Sequence, residues 1–302
     1  MTRRVAVVDI GTNTLKFSVT AIGDDGSESI IDAHADTVRL GAGIKTSGVI
    51  EPGRIARALA SLTAYEQVAR GLGAEACIGV ATAALRMARN GDEMLNRISC
   101  STGWKVRVVS GADEARLAFN GLAAQLPETG NALLADVGGG STELIAVTDR
   151  SLVLSESFDV GSGTLADRLF RVDPPGIEVV QAAVHYATST LDRSLVIQSS
   201  IGSALYLSGG NGQFLSAFAE WDDVAIPFVP SGFDDLVKSI SVRQSIAIAR
   251  YLGIAQERAR MLPAGAAIAR AIIGLSNPES VAAVPSGIRG GLLAEWLATH
   301  PK

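Results

Sequence analysis

Residues 136–144 read DVGGGSTEL and residues 9–17 read DIGTNTLKF. Each follows an apolar run, Ala132, Leu133, Leu134 and Ala135 in one case and Val5 to Val8 in the other. Each then returns to apolar or alternating residues, Leu144 to Val147 and Leu15, Phe17 and Val19. Both stretches therefore read as strand, polar turn, strand. They share the plan Asp-apolar-Gly, two variable positions, a hydroxyl residue and a return to strand. About 127 residues separate Asp9 from Asp136, the mark of a duplicated unit with one copy in each half of the chain. Glycines at 138, 139 and 140 let a backbone approach a ligand closely. Their amides, with the hydroxyls of Ser141 and Thr142, can converge on an anion as a nest. Gly11, Thr12, Asn13 and Thr14, closed by Lys16, offer the same set of donors. The competing reading of each is a plain hairpin turn. Asp136 and Glu143 flank the central turn with carboxylates, which repel a phosphate unless a cation sits between them.

The 302 residues suffice for two domains. With 47% hydrophobic and 19% charged residues, the composition is that of a soluble globular protein. The apolar run from Ala264 to Leu275 is broken by Arg270 and too short to span a bilayer. The N-terminus passes straight into a strand without a signal-peptide core, so no membrane association and a cytoplasmic location are expected. A net charge of −5 argues against nucleic acid as a partner. Cys77 and Cys100 lack ligand-like spacing and read as free thiols. His34, His185 and His300 are too scattered to suggest a metal site or a triad.

Outside the two hairpins, Glu51-Pro52-Gly53 opens a helix with proline in its first turn. A strand over 76–82 runs into AALRMARNGDEML, where Arg86 and Asn90 are four apart, a spacing that predicts one helix face. A strand over 105–111 leads to a helix over 112–124, with Ser110 as N-cap and Asp113 completing a capping box. Glu114 is then left over at the first turn, either as a helix-dipole residue or as an active-site acid. LPETGN (126–131) is the clearest linker and places the domain boundary there, giving domains 1–126 and 127–302. Further on, Gly161–Gly163 and Gly209–Gly212 form more glycine turns. Lys238, Arg243, Arg250, Arg258 and Arg260 read as a solvated face or a polyanion groove.

Five blocks in this order resemble the exopolyphosphatase / guanosine pentaphosphate phosphohydrolase family: DIGTNTLKF, the RLG of Arg39 to Gly41, ATAALRMARNG, SGADEARLAFNG and DVGGGSTEL. LPAGAAI and SGIRGGLL are weaker echoes. The resemblance implies an α/β protein of two RNase H-like domains, in the actin, sugar kinase and acetate kinase group, with the active site in the interdomain cleft. It implies removal of the terminal phosphate of a phosphoanhydride chain, usually with Mg²⁺. By motif, Asp9, Gly11, Thr12, Asn13 and Thr14 match one phosphate loop, and Gly138, Gly139, Gly140, Ser141 and Thr142 the other. Glu114 matches the catalytic glutamate and Arg86 a phosphate-contacting arginine. Asp136 and Glu143 match acids that bind the metal or the attacking water. The Gly209-Gly210-Asn211-Gly212-Gln213 block departs from the family's Gly-Gly-Thr pattern, and the Gly161 block matches loosely. Two domains are expected, without the helical domain that longer members append; a homodimer is compatible with the resemblance.

Phosphoanhydride hydrolysis demands charge neutralisation and an aligned water. No cysteine, serine elbow or histidine is placed as a nucleophile, so direct water attack is expected, with Glu114 as base. Inorganic polyphosphate is the expected substrate. Guanosine penta- or tetraphosphate, short-chain polyphosphate and nucleotides are the alternatives. A kinase of the same fold group and a non-catalytic alarmone-binding sensor are the readings from other classes.

Overall fold

The structure, a computed structural model, describes residues 2–221, 230–284 and 287–301. Ser286 of the SGIRGGLL block lies outside the described residues. Two compact units emerge, Met1–Ser110 with Arg289–Lys302, and Gly111–Ile288.

In the first unit, β1 (Arg3–Ile10), β2 (Thr14–Ile22), β3 (Glu28–Thr37), β4 (Ala76–Ala81) and β5 (Lys105–Val108) form one sheet in the order β3-β2-β1-β4-β5. The meander β1-β2-β3 is antiparallel, whereas β4 and β5 run parallel to β1. In the second unit, β6 (Asn131–Val137), β7 (Thr142–Thr148), β8 (Ser151–Phe158), β9 (Ala204–Ser208) and β10 (Val281–Ala283) follow the same plan, β8-β7-β6-β9-β10. The duplication seen in the two hairpins thus extends to whole sheets. Each unit is a mixed five-stranded RNase H-like domain.

Burial explains the local choices. From Val5 to Ile10, β1 is buried at every position, as a central strand covered on both faces requires. The helix Pro52–Gly71 begins with its proline and buries Ile55, Ala58, Leu62, Tyr65 and Ala69 at helical spacing. Phe17 stacks on Tyr65 (ring centroids 4.8 Å apart) and meets the edge of Trp104 at 6.0 Å. The Trp104 indole N–H donates to the Leu62 carbonyl (2.9 Å), so this large ring is buried without an orphaned donor. By contrast β3, ESIIDAHADT, is exposed along most of its length. It completes the edge of the sheet through backbone pairing with β2, and its acidic side chains blunt that edge.

Two segments sit elsewhere than the linker suggested. The helix Gly111–Leu122 packs on β7 and β8 and belongs to the second unit, so the compact units divide at Ser110/Gly111 and not at 126/127. The last helix, Ile288–Thr299, returns to the first unit. Arg289 donates to the Phe17 carbonyl (2.8 Å), Arg107 pairs with Glu295 (2.6 Å) and Arg3 donates to the His300 carbonyl (2.6 Å). Among the described residues, Gln256–Ser276 is the one stretch long and apolar enough to cross a membrane. Its apolar window is 78% buried, and the Leu262–Ser276 portion packs on the helix Ile177–Leu191 as a core element. Of the basic residues beyond Phe233, Arg243 lies over the Trp221 ring (4.4 Å) and Arg258 over Phe214 (4.3 Å), which is packing and not a polyanion groove.

Truncating Phe17 to Ala removes the ring at the centre of the first core. A loss of about 3–5 kcal/mol is expected, to be read as a lowered urea midpoint with an unchanged slope.

Candidate active site

Ligands of α/β sheets gather at the carboxyl ends of the parallel strands, and the chemically distinctive residues of each unit lie there. In the first unit β1 ends in Asp9 and Ile10. The turn is closed by the Gly11 amide donating to the Thr14 carbonyl (3.2 Å). In the second, β6 ends in Asp136 and Val137, and the Gly138 amide donates to the Ser141 carbonyl (3.0 Å). The two closures are equivalent. Among the described residues no backbone carbonyl accepts the amides of Thr12 and Asn13, or those of Gly139 and Gly140. These donors are the material of an anion nest.

The residues facing each other across the hairpins differ. In the first unit Asp9 pairs across the strands with Lys16. The Asp9 carboxyl is buried and its Oδ1 has no hydrogen-bond partner. Burial raises its pKa, and the charges of Lys16 and Arg289 pull it back. Beside it, β4 runs parallel to β1 and continues into the short helix Ala83–Met87, where Arg86 donates to the Val109 carbonyl (2.8 Å). Asn90 does not share that helix. Ala88 is extended, and the Asn90 amide group instead holds both backbone groups of Ile50, at 2.8 and 2.9 Å. The spacing that paired Arg86 with Asn90 therefore breaks at Ala88.

In the second unit Asp136 pairs across with Glu143, and Glu143 in turn with Ser157 on β8. The result is a row of polar side chains across three strands. The Ser157 hydroxyl donates to Glu143 Oε1 at 2.8 Å. Glu114 is the third carboxylate, from the first turn of the helix Gly111–Leu122. That helix comes this close because residue 111 is glycine: a Cβ there would stand 2.6 Å from the Ser157 Cβ. Glu114, Asp136 and Glu143 are 5%, 7% and 1% exposed. Burial, then the charges of Glu114 and Asp136, push the Glu143 carboxyl well above the usual carboxylate range, while hydrogen bonds from Ser157 and Ser141 pull it down. Like charges held in low dielectric interact far more strongly than in water.

The glycine turn is braced from behind. Gly138 and Gly139 carbonyls accept the amides of Ser162, Gly163 and Thr164, and the Ser162 hydroxyl also donates to Gly138. A Cβ on Gly161 would come within 2.5 Å of the Gly139–Gly140 backbone, so the 161–164 turn and the 138–140 turn are in direct backbone contact. The atypical Gly209 block has a role in the same place. Gly209 lies against the Asp136 carboxylate, and Asn211 donates to the Val137 carbonyl (2.5 Å) and to Ser162 (3.3 Å). Thr142 points inward. It is fully buried and its hydroxyl donates to the Val160 carbonyl (2.6 Å), so it braces the turn and offers no donor to an anion. Ser157, Ser162 and Asn211 were not visible as site residues in the sequence. For Ser162 and Asn211 the signal was a hydroxyl or amide side chain beside a glycine in VGSG and SGGNG, and Ser157, between Glu156 and Phe158, carried none.

Among the described residues no group of three or more His, Cys, Asp or Glu is arranged to enclose a metal ion. Mg²⁺ commonly takes one or two carboxylates and completes its shell with water and substrate phosphates. Asp136 and Glu143, hard oxygen donors opposite each other on β6 and β7, fit that requirement.

A family model described as the Ppx/GppA phosphatase family matches residues 19–300. The chain belongs to this family. Over 201 residues it is 32% identical to Exopolyphosphatase 2 of Mycobacterium tuberculosis, a match spanning 64% of this chain and 63% of that one. It thus spans just under two thirds of that relative's length. Exopolyphosphatase 1 of the same organism is 26% identical over 303 residues, covering 97% of this chain and 88% of that one. Among solved structures, an exopolyphosphatase from Cytophaga hutchinsonii superposes with a TM-score of 0.87 at 23% identity over 98% of both chains. The Aquifex aeolicus family member does so with 0.78 at 23% identity over the whole of both. At that identity the structures establish the shared fold.

Two outcomes test this geometry. Gly161→Ala forces the two turns apart and is expected to lower anion affinity while far-UV circular dichroism stays that of the parent. For Glu143 the sign follows from its raised pKa. The folded protein holds a proton that the unfolded chain releases above about 4.3. Stability is therefore full below that pH and is lost as pH rises toward the raised value, with Asp9 acting in the same direction. In chelator, Glu143→Gln is expected to denature later than the parent, by a margin that grows with pH, in guanidinium titrations at pH 4.5, 6 and 7.5.

Proposed function

We propose that this chain is a phosphohydrolase that removes the terminal phosphate of inorganic polyphosphate by direct attack of water. The observation that carries the reading is the buried trio Glu114, Asp136 and Glu143 beside the amides of the glycine turn. Family membership and the exopolyphosphatase names of the mycobacterial relatives support it. In this reading the amides of residues 12–13 and of residues 139–140 take up phosphate oxygens, and Arg86 adds a positive charge. Charged hydrogen bonds of this kind contribute roughly 1.5–3 kcal/mol each. Glu114 orients the water and accepts its proton at a carboxylate oxygen. Asp136 and Glu143 hold a divalent cation, which when bound neutralises charge on the reacting phosphate. Thr142 keeps the turn in shape, and Asp9 closes the base of the first loop without itself contacting anionic phosphate.

Phosphate release should be measured in parallel from long-chain polyphosphate, tripolyphosphate and guanosine pentaphosphate, with Mg²⁺ and with chelator. Long-chain polyphosphate is expected to give the highest kcat/KM. A higher value for the guanosine compound would reassign the substrate to an alarmone. Glu114→Gln is expected to lower kcat by ~10²–10⁴-fold, the usual contribution of a general base, while calorimetry still detects tripolyphosphate. Unchanged turnover in that variant would remove Glu114 from the chemistry, and binding without turnover in the parent would make the chain a sensor.

A further inference from the structure

Outside glycine, few residues of this chain adopt a left-handed backbone, and Arg39 is one, with φ 57°. An L side chain is strained there, and glycine would relieve the strain. Such outliers gather where a side chain is needed for function. The setting of Arg39 is specific. Its amide donates to the Asn13 carbonyl (2.8 Å), and two residues on, the Gly41 amide donates to the Thr12 carbonyl (2.8 Å). The RLG segment is thereby bonded along the back of the first phosphate loop. It uses that loop's carbonyls and leaves its amides alone: among the described residues no backbone carbonyl accepts those of Thr12 and Asn13.

The segment is itself pinned. Arg54, on the helix Pro52–Gly71, donates to the carbonyls of Val38 (3.4 Å) and Arg39 (3.1 Å), and Arg57 donates to that of Val38 (3.2 Å). Two guanidinium groups thus hold the two peptide carbonyls that bracket the strained residue. Arg39 is half-buried and its backbone is bonded to a donor-rich turn, in a chain whose net charge is −5. A guanidinium presents a planar fork of donors that matches two oxygens of a phosphate.

We infer that Arg39 is a further substrate-binding residue of the first phosphate loop, taking a non-terminal phosphate of a phosphoanhydride chain through its guanidinium fork. The bond from its amide to the Asn13 carbonyl sets the Arg39 backbone beside that loop. This rests on the phosphohydrolase reading above.

The test compares the parent with Arg39→Gly, which removes the fork and the strain together, and Arg39→Lys, which keeps charge without the fork. Kinetics are read with tripolyphosphate, and affinity by calorimetry with tripolyphosphate on the Glu114→Gln background, where turnover is expected to be ~10²–10⁴-fold slower. Arg39→Gly is expected to raise both KM and the dissociation constant by about 10-fold or more, the loss of a charged hydrogen bond. Its melting temperature should be no lower than the parent's. Arg39→Lys should fall between the two. Values for Arg39→Gly within twofold of the parent would overturn the inference. If Arg39→Gly melts lower, Arg39→Asn, which tolerates the left-handed backbone, decides by the same criterion. A parent that binds tripolyphosphate without releasing phosphate overturns the phosphohydrolase reading alone, and the calorimetric comparison still decides Arg39. A parent that does neither overturns both.

Discussion

Three carboxylates share one buried corner of the second unit, and like charges in low dielectric repel. Two of them, Asp136 and Glu143, are fixed opposite each other by the register of β6 on β7. The third, Glu114, is pressed in by a helix whose first residue is a glycine packed on Ser157. Two serine hydroxyls offset part of the repulsion, yet the Glu143 carboxyl is still displaced well upward. A fold selected for stability alone would place apolar or oppositely charged groups here. The backbone braces around the glycine turn and the close approach of Gly161 hold the groups together despite that repulsion. Titratable groups strained in this way cluster where chemistry is done.

The two halves of the chain are built on one plan and specialised by charge. At equivalent cross-strand positions the first hairpin places Lys16 opposite Asp9, and the second places Glu143 opposite Asp136. The first unit adds Arg289, whose charge acts on Asp9, and Arg39, whose amide is bonded to Asn13, whereas the second adds Glu114. One turn is therefore set among cations and the other among anions, although in both, among the described residues, two amides meet no backbone carbonyl. The two units thus carry opposite local charge at equivalent hairpins.

Much of this was legible in the residues because the signals are local. A strand, a glycine or hydroxyl turn and a second strand need only neighbouring residues to be read, and both hairpins fold as their patterns predict. The Glu114 helix begins where its first-turn acids indicate. The edge strand β3 was not legible, because it is exposed and carries neither alternation nor an apolar run. It forms through backbone pairing with β2, which composition does not encode. Asn90 misled for a related reason: a spacing of four implies a shared face only if the helix continues, and the chain turns extended at Ala88. Thr142 was read as an anion donor because side-chain type alone does not say which way a residue at the start of β7 points.

Taken by itself, the sequence determined the duplicated hairpins, their order and the family, and it singled out Glu114, Asp136 and Glu143 as candidate acids, since each depends on residue type at short spacing. The tertiary structure decided the company those acids keep. Glu114 lies on the N-terminal side of the LPETGN linker, yet it packs with the second unit, because its helix covers β7 and β8. Ser157, Ser162 and Asn211 reach the central turn from separate segments, and only packing brings them there. The strain at Arg39 is likewise a property of the folded chain. It arises from carbonyls held by Arg54 and Arg57 and from amides bonded to residues 12 and 13, contacts that no local pattern specifies.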